Sequence, residues 1–239
     1  MNIDKLKLQV ALSCQIIANQ KLDCGPFGNN SIKIPDKNEF LVNPEGIIFE
    51  QVQKEDIIRM DLDGNILEGK HKPHPGEFIH REIYRLRPDV AAIVHTHSDN
   101  TVAHSLLACE IEPYTQLGAA LYGDQGIYTG FTGPVRDSNE GAAIAKALGN
   151  KAIVIAKNHG LFATGPNIYQ ALWDMIVADM AAKIHLSAIT LGLKKAEPMS
   201  LEALNKSKIE VRHKQCEYMW LAFVNKLHIA TSDRIVITA

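Results

Sequence analysis

Three histidines that follow apolar runs are the residues of this chain best suited to chemistry. His95 and His97 come directly after residues 89–94, and His159 follows the apolar run 152–156. Side chains two residues apart on a strand share a face, so His95 and His97 can bind one cation, although an isolated pair is equally compatible with a polar strand end. A third histidine from a neighbouring strand leaves coordination positions open, as in catalytic metal sites. The spacing therefore predicts a catalytic metal centre.

Glu77 is the candidate acid for proton transfer. Two prolines and a glycine precede it in residues 72–76, and a helical pattern follows. Because proline is accommodated before or in the first helical turn, Glu77 is expected in that turn. A carboxylate there also complements the helix dipole, which is a sufficient explanation of its position alone. The residues 86–88 that end this helix lead into the strand of His95, which favours a functional role.

These motifs resemble those of the class II aldolase/adducin family, which includes fuculose-phosphate aldolase and ribulose-phosphate 4-epimerase. Each motif alone is weak, but five in the family's order are specific, and together they span most of the chain. The matching residues are Gly28-Asn29-Asn30-Ser31, Asn43-Pro44-Glu45-Gly46, Glu77, His95-x-His97 and Asn158-His159-Gly160.

The resemblance implies a fold, an assembly and a reaction. The fold is α/β, a three-layer α/β/α domain around a central mixed, largely antiparallel sheet, and we expect one such domain over residues 1–239. The assembly is a homotetramer with active sites at subunit boundaries. The reaction is that of a divalent-metal-dependent carbon–carbon lyase, aldolase-like or a decarboxylase, acting through an enediolate-type intermediate on a small hydroxy-carbonyl or hydroxy-acid substrate.

The resemblance also assigns roles to residues. Glu77 is the catalytic acid and base. The metal ligands are His95, His97 and His159, which favour Zn2+ and are compatible with Mn2+, Co2+ or Fe2+ because imidazole suits several divalent metals. The predicted substrate-binding residues are Gly28, Asn29, Ser31, Gly46 and Gly76.

One departure from the family bears on the substrate. The sugar-phosphate aldolases have two serines before the catalytic glutamate, whereas this chain has Pro75-Gly76. Proline offers neither a hydroxyl nor an amide donor, and glycine offers only its amide. The Gly28-Asn29 loop can still bind an anion through backbone amides. An unphosphorylated substrate is therefore favoured, and His74 is interpreted as an exposed loop histidine.

The second proton donor has no clean match. In the aldolases it is a tyrosine from the adjacent subunit, and the corresponding stretch here spans residues 112–116. Tyr114 is displaced by about two residues from the expected position. Tyr114 is the candidate, Gln116 is a substitute, and a decarboxylation needs no acid at that position.

Three alternative functions stay open. A sugar-phosphate 4-epimerase is disfavoured, because the epimerases have aspartate where Glu77 stands and rely on phosphate binding. An iron-dependent oxygenase on the same fold would use the same ligands. A non-catalytic, adducin-like assembly module predicts loss of the metal ligands, and all three histidines are present.

Composition narrows the class of protein further. The 239 residues are 46% hydrophobic and 22% charged, which is ordinary for one globular domain. The net charge of −2 argues against nucleic acid as a partner, because no basic excess is present to neutralise phosphates. No run approaches the length of a membrane span, and no apolar signal core is visible, so the cytoplasm is expected. Four cysteines without Cys-x-x-Cys spacing predict free, mostly buried thiols: Cys14, Cys24, Cys109 and Cys216.

Apolar periodicity and turn residues place the main elements. We expect a strand over 57–62 that ends in an Asp63-Gly64 hairpin turn. His104 is left out of the site, because a lone helical histidine is usually solvated or hydrogen-bonded. The apolar tail 233–239 is expected to dock on the assembly. Helices are predicted over 6–17, 100–108 and 137–148, after Gly165-Pro166, and over 201–227.

Overall fold

A computed structural model of the chain describes residues 2–131, 133, 138–193, 197 and 199–229, and a single sheet of eight strands lies at its centre. The strands are β1 Asn29–Lys33, β2 Glu39–Val42, β3 Ile58–Asp61, β4 Ile66–Glu68, β5 Ala92–Thr96, β6 Gln125–Tyr128, β7 Ile153–Ala156 and β8 Gly160–Gly165. Their spatial order is β4-β3-β2-β1-β5-β8-β7-β6. Only the β6–β7 pair is parallel among these strands, so the prediction of a mixed, largely antiparallel sheet is confirmed.

Helices cover both faces of the sheet. They are α1 Ile3–Asn19, α2 Glu77–Leu86, α3 Asp99–Ser105, α4 Gln116–Ala120, α5 Ser138–Leu148, α6 Ile168–Thr190, α7 Leu201–Ser207 and α8 Cys216–Ile229. Short 3₁₀ turns lie at Phe49–Gln51 and Lys54–Asp56, and a π-helical segment at Lys208–His213.

Alternation along the strands builds two separate cores. On β5, Ala92 and Val94 belong to the cluster that includes the buried residues of α1, α6 and α8. Ile93 between them belongs to the second cluster, with the buried residues of α2 and α5. Because successive strand residues point to opposite faces, one strand contributes to both cores. The result is the predicted three-layer α/β/α architecture.

The predicted last helix is divided into three pieces. Between α7 and α8 lies the π-helical segment, where buried Arg212 makes two hydrogen bonds of 2.8 Å to the carboxylate of Asp174 on α6. Its third nitrogen donates to Asp124 at 2.6 Å. A buried guanidinium requires such carboxylate partners. The π-helical segment that interrupts the predicted helix therefore contains the residue that binds the C-terminal helices to α6. Local periodicity does not show this interruption, because the contact with Asp174 is long-range in sequence.

The structure also bears on the predictions for the cysteines, for membrane spans and for the chain segments at 137 and 233–239. The four cysteines are free, but Cys24 and Cys109 are exposed, so only half of the thiols are buried. No helix among the described residues is long and apolar enough to cross a bilayer. The segment 233–239 and Asp137, where α5 was expected to begin, lie outside the described residues.

Burial of His80 on α2 predicts sensitivity to acid. Its Nδ1 lies 2.6 Å from Ser31 Oγ, and burial lowers the pKa of its ring to about 3. An unfolded histidine has a pKa of about 6.5, so below that pH the unfolded state binds a proton that the folded state does not. We expect His80 to lower the free energy of unfolding by about 2 kcal/mol as the pH falls from about 6.5 to about 5.

Urea titrations between pH 8 and pH 5, with a chelator present, measure this effect. The variant His80→Gln lacks the titrating ring, so its stability should fall less steeply below about pH 6.5 than that of the wild type. Parallel pH profiles for the two proteins would contradict the assignment.

Candidate metal centre

Strand pairing positions the first two histidines. His95 lies on β5 with Asn29 of β1 on one side and Phe162 of β8 on the other. His95 follows Ile93 by two residues on the same strand, so both side chains point to the same face of the sheet. That face is the one covered by α2. His97 lies just beyond the end of β5, two residues further on.

A tight turn between β7 and β8 delivers the third histidine. Asn158 has a φ of 62° and Gly160 a φ of 139°, and the His159 N–H donates to the carbonyl of Ala156 at 3.0 Å. Asparagine and glycine are the residues that adopt positive φ most readily. A Cβ on Gly160 would also approach the Thr96 carbonyl oxygen to 3.1 Å. The Asn-His-Gly sequence thus allows the chain to reverse its direction between β7 and β8, beside the end of β5.

The three imidazoles converge. One ring nitrogen from each of His95, His97 and His159 lies within 4.8 Å of the others, and Nε2 of His95 is 2.9 Å from Nε2 of His97. The Nδ1 of His95 lies 2.9 Å from the carbonyl oxygen of Leu161. Because a carbonyl only accepts, Nδ1 must donate, and Nε2 keeps the lone pair that a metal requires.

Burial keeps this cluster neutral near pH 7. It lowers the pKa of His95 well below its usual value, that of His159 to about 4, and that of His97 in the same direction. The neighbouring imidazoles oppose protonation of His95 and His159 further. Three neutral, converging nitrogens are a donor set that fits a divalent transition metal.

A large cleft opens over the histidines. Its volume is about 1270 Å³, and all three histidines line it together with Gly46 and Gly76, two of the predicted substrate-binding residues. The cleft is open, and its volume exceeds the roughly 300–1,000 Å³ that is typical of ligand pockets. Access of a substrate to the candidate metal position follows from this arrangement.

Asn29 carries a buried side-chain amide that has no partner among the described residues. Its side chain is fully buried, and neither Nδ2 nor Oδ1 has a hydrogen-bond partner among the described residues. It lies directly beneath Gly76, where an added Cβ would approach Asn29 Oδ1 to 2.9 Å. Buried amide groups in folded proteins are normally paired, so an unpaired one beside a cleft indicates a missing partner.

Three predicted substrate-binding residues lie outside the lining of the cleft: Gly28, Asn29 and Ser31. Ser31 is fully buried, and its Oγ lies 2.6 Å from His80 Nδ1 and 2.7 Å from Tyr84 Oη, both on α2. Gly28 has a φ of 112°, and an added Cβ would approach the His95 carbonyl oxygen to 2.8 Å. Ser31 and Gly28 thus support the strands that carry the site, and their contact with a ligand stays a prediction.

Glu77 starts α2 as predicted, but it does not line the main cleft. It is buried and ion-paired with Arg81, whose Nε is 2.5 Å from Oε2 and whose Nη2 donates to Oε1 at 3.2 Å. Burial raises the pKa of Glu77, and Arg81 opposes that shift. Glu77 lines a smaller cavity of about 370 Å³, and His74 and Pro75 border both spaces. The carboxylate therefore lies behind His74 and Pro75, which form this part of the cleft wall.

Tyr114 and His104 lie together, away from the cleft lining. The ring of Tyr114 packs edge-on against His185 at a centroid distance of 5.2 Å. His185 Nδ1 accepts a hydrogen bond from the Glu112 N–H at 3.2 Å and lies 2.9 Å from His104 Nε2. His104 is thus a buried, hydrogen-bonded helical histidine, and the structure does not bring Tyr114 to His95, His97 or His159 of its own chain.

Three residues of the cleft were missed or misread from the sequence. His74, interpreted as an exposed loop histidine, is half-buried in the lining, and its Nδ1 accepts from the Gly76 N–H at 3.0 Å. Burial lowers its pKa to about 4. Phe27 and Phe131 also line the cleft. Both lie in irregular segments without periodicity, although Phe27 adjoins the Gly28-Asn29 motif, which was an available signal.

Residues 8–186 match the family of the Class II Aldolase and Adducin N-terminal domain, and the chain belongs to that family. It is 32% identical over 181 residues to an L-fuculose phosphate aldolase of Methanocaldococcus jannaschii, covering 75% of this chain and 95% of the relative. It is 34% identical over 168 residues to Decarboxylase NovR of Streptomyces niveus, covering 69% of this chain and 62% of that longer relative.

A solved structure is similar over nearly the whole chain. It is an L-fuculose 1-phosphate aldolase from Glaciozyma antarctica, with 26% identity and a TM-score of 0.83 over 97% of this chain and 91% of the other. The fold predicted from the family resemblance is therefore shown by an independent comparison.

The position of Ser31 generates a test of its role. Removing its hydroxyl leaves the buried His80 and Tyr84 groups without a partner, so Ser31→Ala should lower the free energy of unfolding by about 1–3 kcal/mol. Urea denaturation measures this loss, and Ser187→Ala serves as a control, because that hydroxyl is exposed and bonds only within its own helix. An unchanged stability for Ser31→Ala would contradict the structural role.

Proposed function

We propose that this chain is a divalent-metal-dependent carbon–carbon lyase that acts on a small, unphosphorylated hydroxy-carbonyl or hydroxy-acid substrate. The observation that carries the proposal is the convergence of three neutral imidazoles at the wall of an open cleft. Membership of the class II aldolase and adducin family supports it. The named aldolase and decarboxylase relatives make either branch of lyase chemistry consistent with the chain.

His95, His97 and His159 would hold the metal, with zinc as the first expectation. When bound, a divalent cation there supplies Lewis-acid polarisation of the substrate oxygens. The Leu161 carbonyl and the stacked ring of Phe162, 3.8 Å from the ring centroid of His95, fix the orientation of the first imidazole. The protein therefore supplies a preorganised ligand set.

Asn29 and Lys72 are proposed to orient the substrate. The unpaired amide of Asn29 can donate to a substrate oxygen and accept from a substrate hydroxyl. Lys72 lines the cleft and is exposed, so its ammonium can pair with a carboxylate. Together they favour a ligand with adjacent hydroxyl and carboxyl or carbonyl groups.

The charge of the cleft opposes a phosphate group. Among the described lining residues, Lys72 is the only lysine or arginine, whereas Glu45 and Asp99 add two carboxylates. Apart from the proposed metal, a phosphate dianion would meet one cationic side chain and two carboxylates in the lining of the cleft. This balance supports the inference drawn from Pro75-Gly76 that the substrate is unphosphorylated.

Glu77 is proposed to move the proton. Its raised pKa brings the carboxyl closer to the working pH, where a general acid and base is most effective. The ion pair with Arg81 holds it one layer from the cleft, so proton transfer requires a side-chain rotation past His74 or a bridging water. We further propose a cytoplasmic homotetramer in which Tyr114 serves a neighbouring subunit.

Metal content is the first test of this function. Plasma mass spectrometry of purified protein should find about one divalent metal per chain in the wild type and little in His97→Ala, because two imidazoles bind a cation far more weakly than three. His104→Ala is the matched control: it removes a buried histidine outside the cleft and should retain the metal. A wild type that holds no metal after reconstitution would sink the proposal.

Glu77→Gln separates proton transfer from metal binding. The amide keeps the shape of the side chain but cannot carry the proton, so turnover should fall by about 10²–10⁴-fold while metal content stays at the wild-type level. Steady-state rates and metal content are measured on the same preparation. Normal turnover in Glu77→Gln would refute the assignment.

Tyr114→Phe distinguishes the two branches of the lyase. An aldol cleavage that uses Tyr114 of a neighbouring subunit as the acid should lose at least about 10²-fold in turnover without the hydroxyl. A decarboxylation needs no acid there and should be unaffected. The aldolase branch with Tyr114 as acid would be wrong if aldol cleavage persisted at the normal rate in this variant.

A further inference from the structure

Two phenylalanine rings flank the histidine cluster on the side that opens to the cleft. Phe27 is stacked near His97, with ring centroids 6.3 Å apart and an interplanar angle of 23°. Phe131 meets His159 from another direction, with centroids 6.1 Å apart and an angle of 63°. The metal-facing space therefore has aromatic walls on two sides.

These apolar side chains are exposed where most large apolar groups would be buried. Phe27 is 54% exposed, Phe131 39% and Leu106 58%, and all three line the cleft. Val102 and Ala103 of α3 continue the apolar wall beside Leu106. Contiguous exposed apolar surface beside polar groups is typical of a ligand-binding groove. The wall is thus continuous with the candidate metal centre.

Polar groups also line the cleft. Lys72, His74 and Gly76 come from the segment that precedes α2, and Asn29 lies beneath Gly76. A ligand that reaches both regions must carry a polar, anionic head and an apolar body. The cleft volume of about 1270 Å³ is far larger than a three- or four-carbon hydroxy acid requires.

We propose that the substrate is a hydroxy acid that carries an aromatic ring, with the ring bound between Phe27, Phe131 and Leu106. Aromatic rings favour edge-to-face and offset contacts with other rings, which two phenyl walls at different angles provide. The carboxylate would lie toward Lys72 and the hydroxyl toward the histidines. This inference names the substrate class of the lyase site and rests on the proposed function.

Calorimetric titration of the metal-loaded protein tests the ring site directly. The probes are 3-phenyllactate and lactate, which share the carboxylate and the hydroxyl and differ by the phenyl group. Burial of the ring should make 3-phenyllactate bind at least about tenfold more tightly than lactate. Phe27→Ala and Phe131→Ala should each reduce that ratio, while lactate binding and metal content stay unchanged.

Tyr218→Ala is the control, because Tyr218 is 71% exposed on α8 and does not line the cleft. It should keep the wild-type ratio of affinities. Equal affinities for the two probes, no binding of 3-phenyllactate, or a ratio insensitive to both phenylalanine variants would overturn the inference. Dissociation of the assembly by Phe27→Ala, without loss of the ratio, would assign the apolar wall to a subunit contact instead.

The outcomes also separate this inference from the proposed function. A preference for the aryl probe without carbon–carbon cleavage of aryl or alkyl hydroxy acids would defeat the lyase proposal alone. Cleavage of small aliphatic hydroxy acids without aryl preference would defeat the ring site alone.

Discussion

The pairing of β5 with β8 is the constraint on which the site depends. It sets His95 opposite Phe162, and the two rings stack with centroids 3.8 Å apart and an interplanar angle of 7°. The same register places the Leu161 carbonyl at His95 Nδ1, and the β7–β8 turn places His159 next to both other histidines. A slip by one residue would turn His95 to the α6 face of the sheet and leave no ligand set.

Burial then gives the cluster its chemical character. The same packing that fixes the imidazoles removes water from them, which lowers their pKa values and keeps their lone pairs available near neutral pH. It also leaves the buried amide of Asn29 without a hydrogen-bond partner among the described residues. Fixed geometry, neutral nitrogens and the buried amide share one cause, which is the packing around the central strands β1, β5 and β8. The proposed lyase site therefore depends on a small number of strand contacts.

The sequence predicted those features that have a local signal. The period-2 spacing of His95 and His97, the Asn-His-Gly turn and the start of α2 at Glu77 are local patterns, and the structure shows them as expected. The surroundings of Ser31 and Glu77 depend instead on distant contacts: Ser31 meets His80 and Tyr84, and Arg81 holds Glu77. In the proposed assembly, the distance of Tyr114 from a site is set by packing between subunits, which no local pattern encodes.

Anomalous diffraction at the zinc edge, from crystals of the zinc-loaded protein, tests the central claim most directly. The account predicts one strong peak per chain at about 2.0–2.1 Å from a ring nitrogen of each of His95, His97 and His159, with the cleft side of the ion open. A peak bound by other residues, or no peak at these histidines in fully loaded protein, would contradict it.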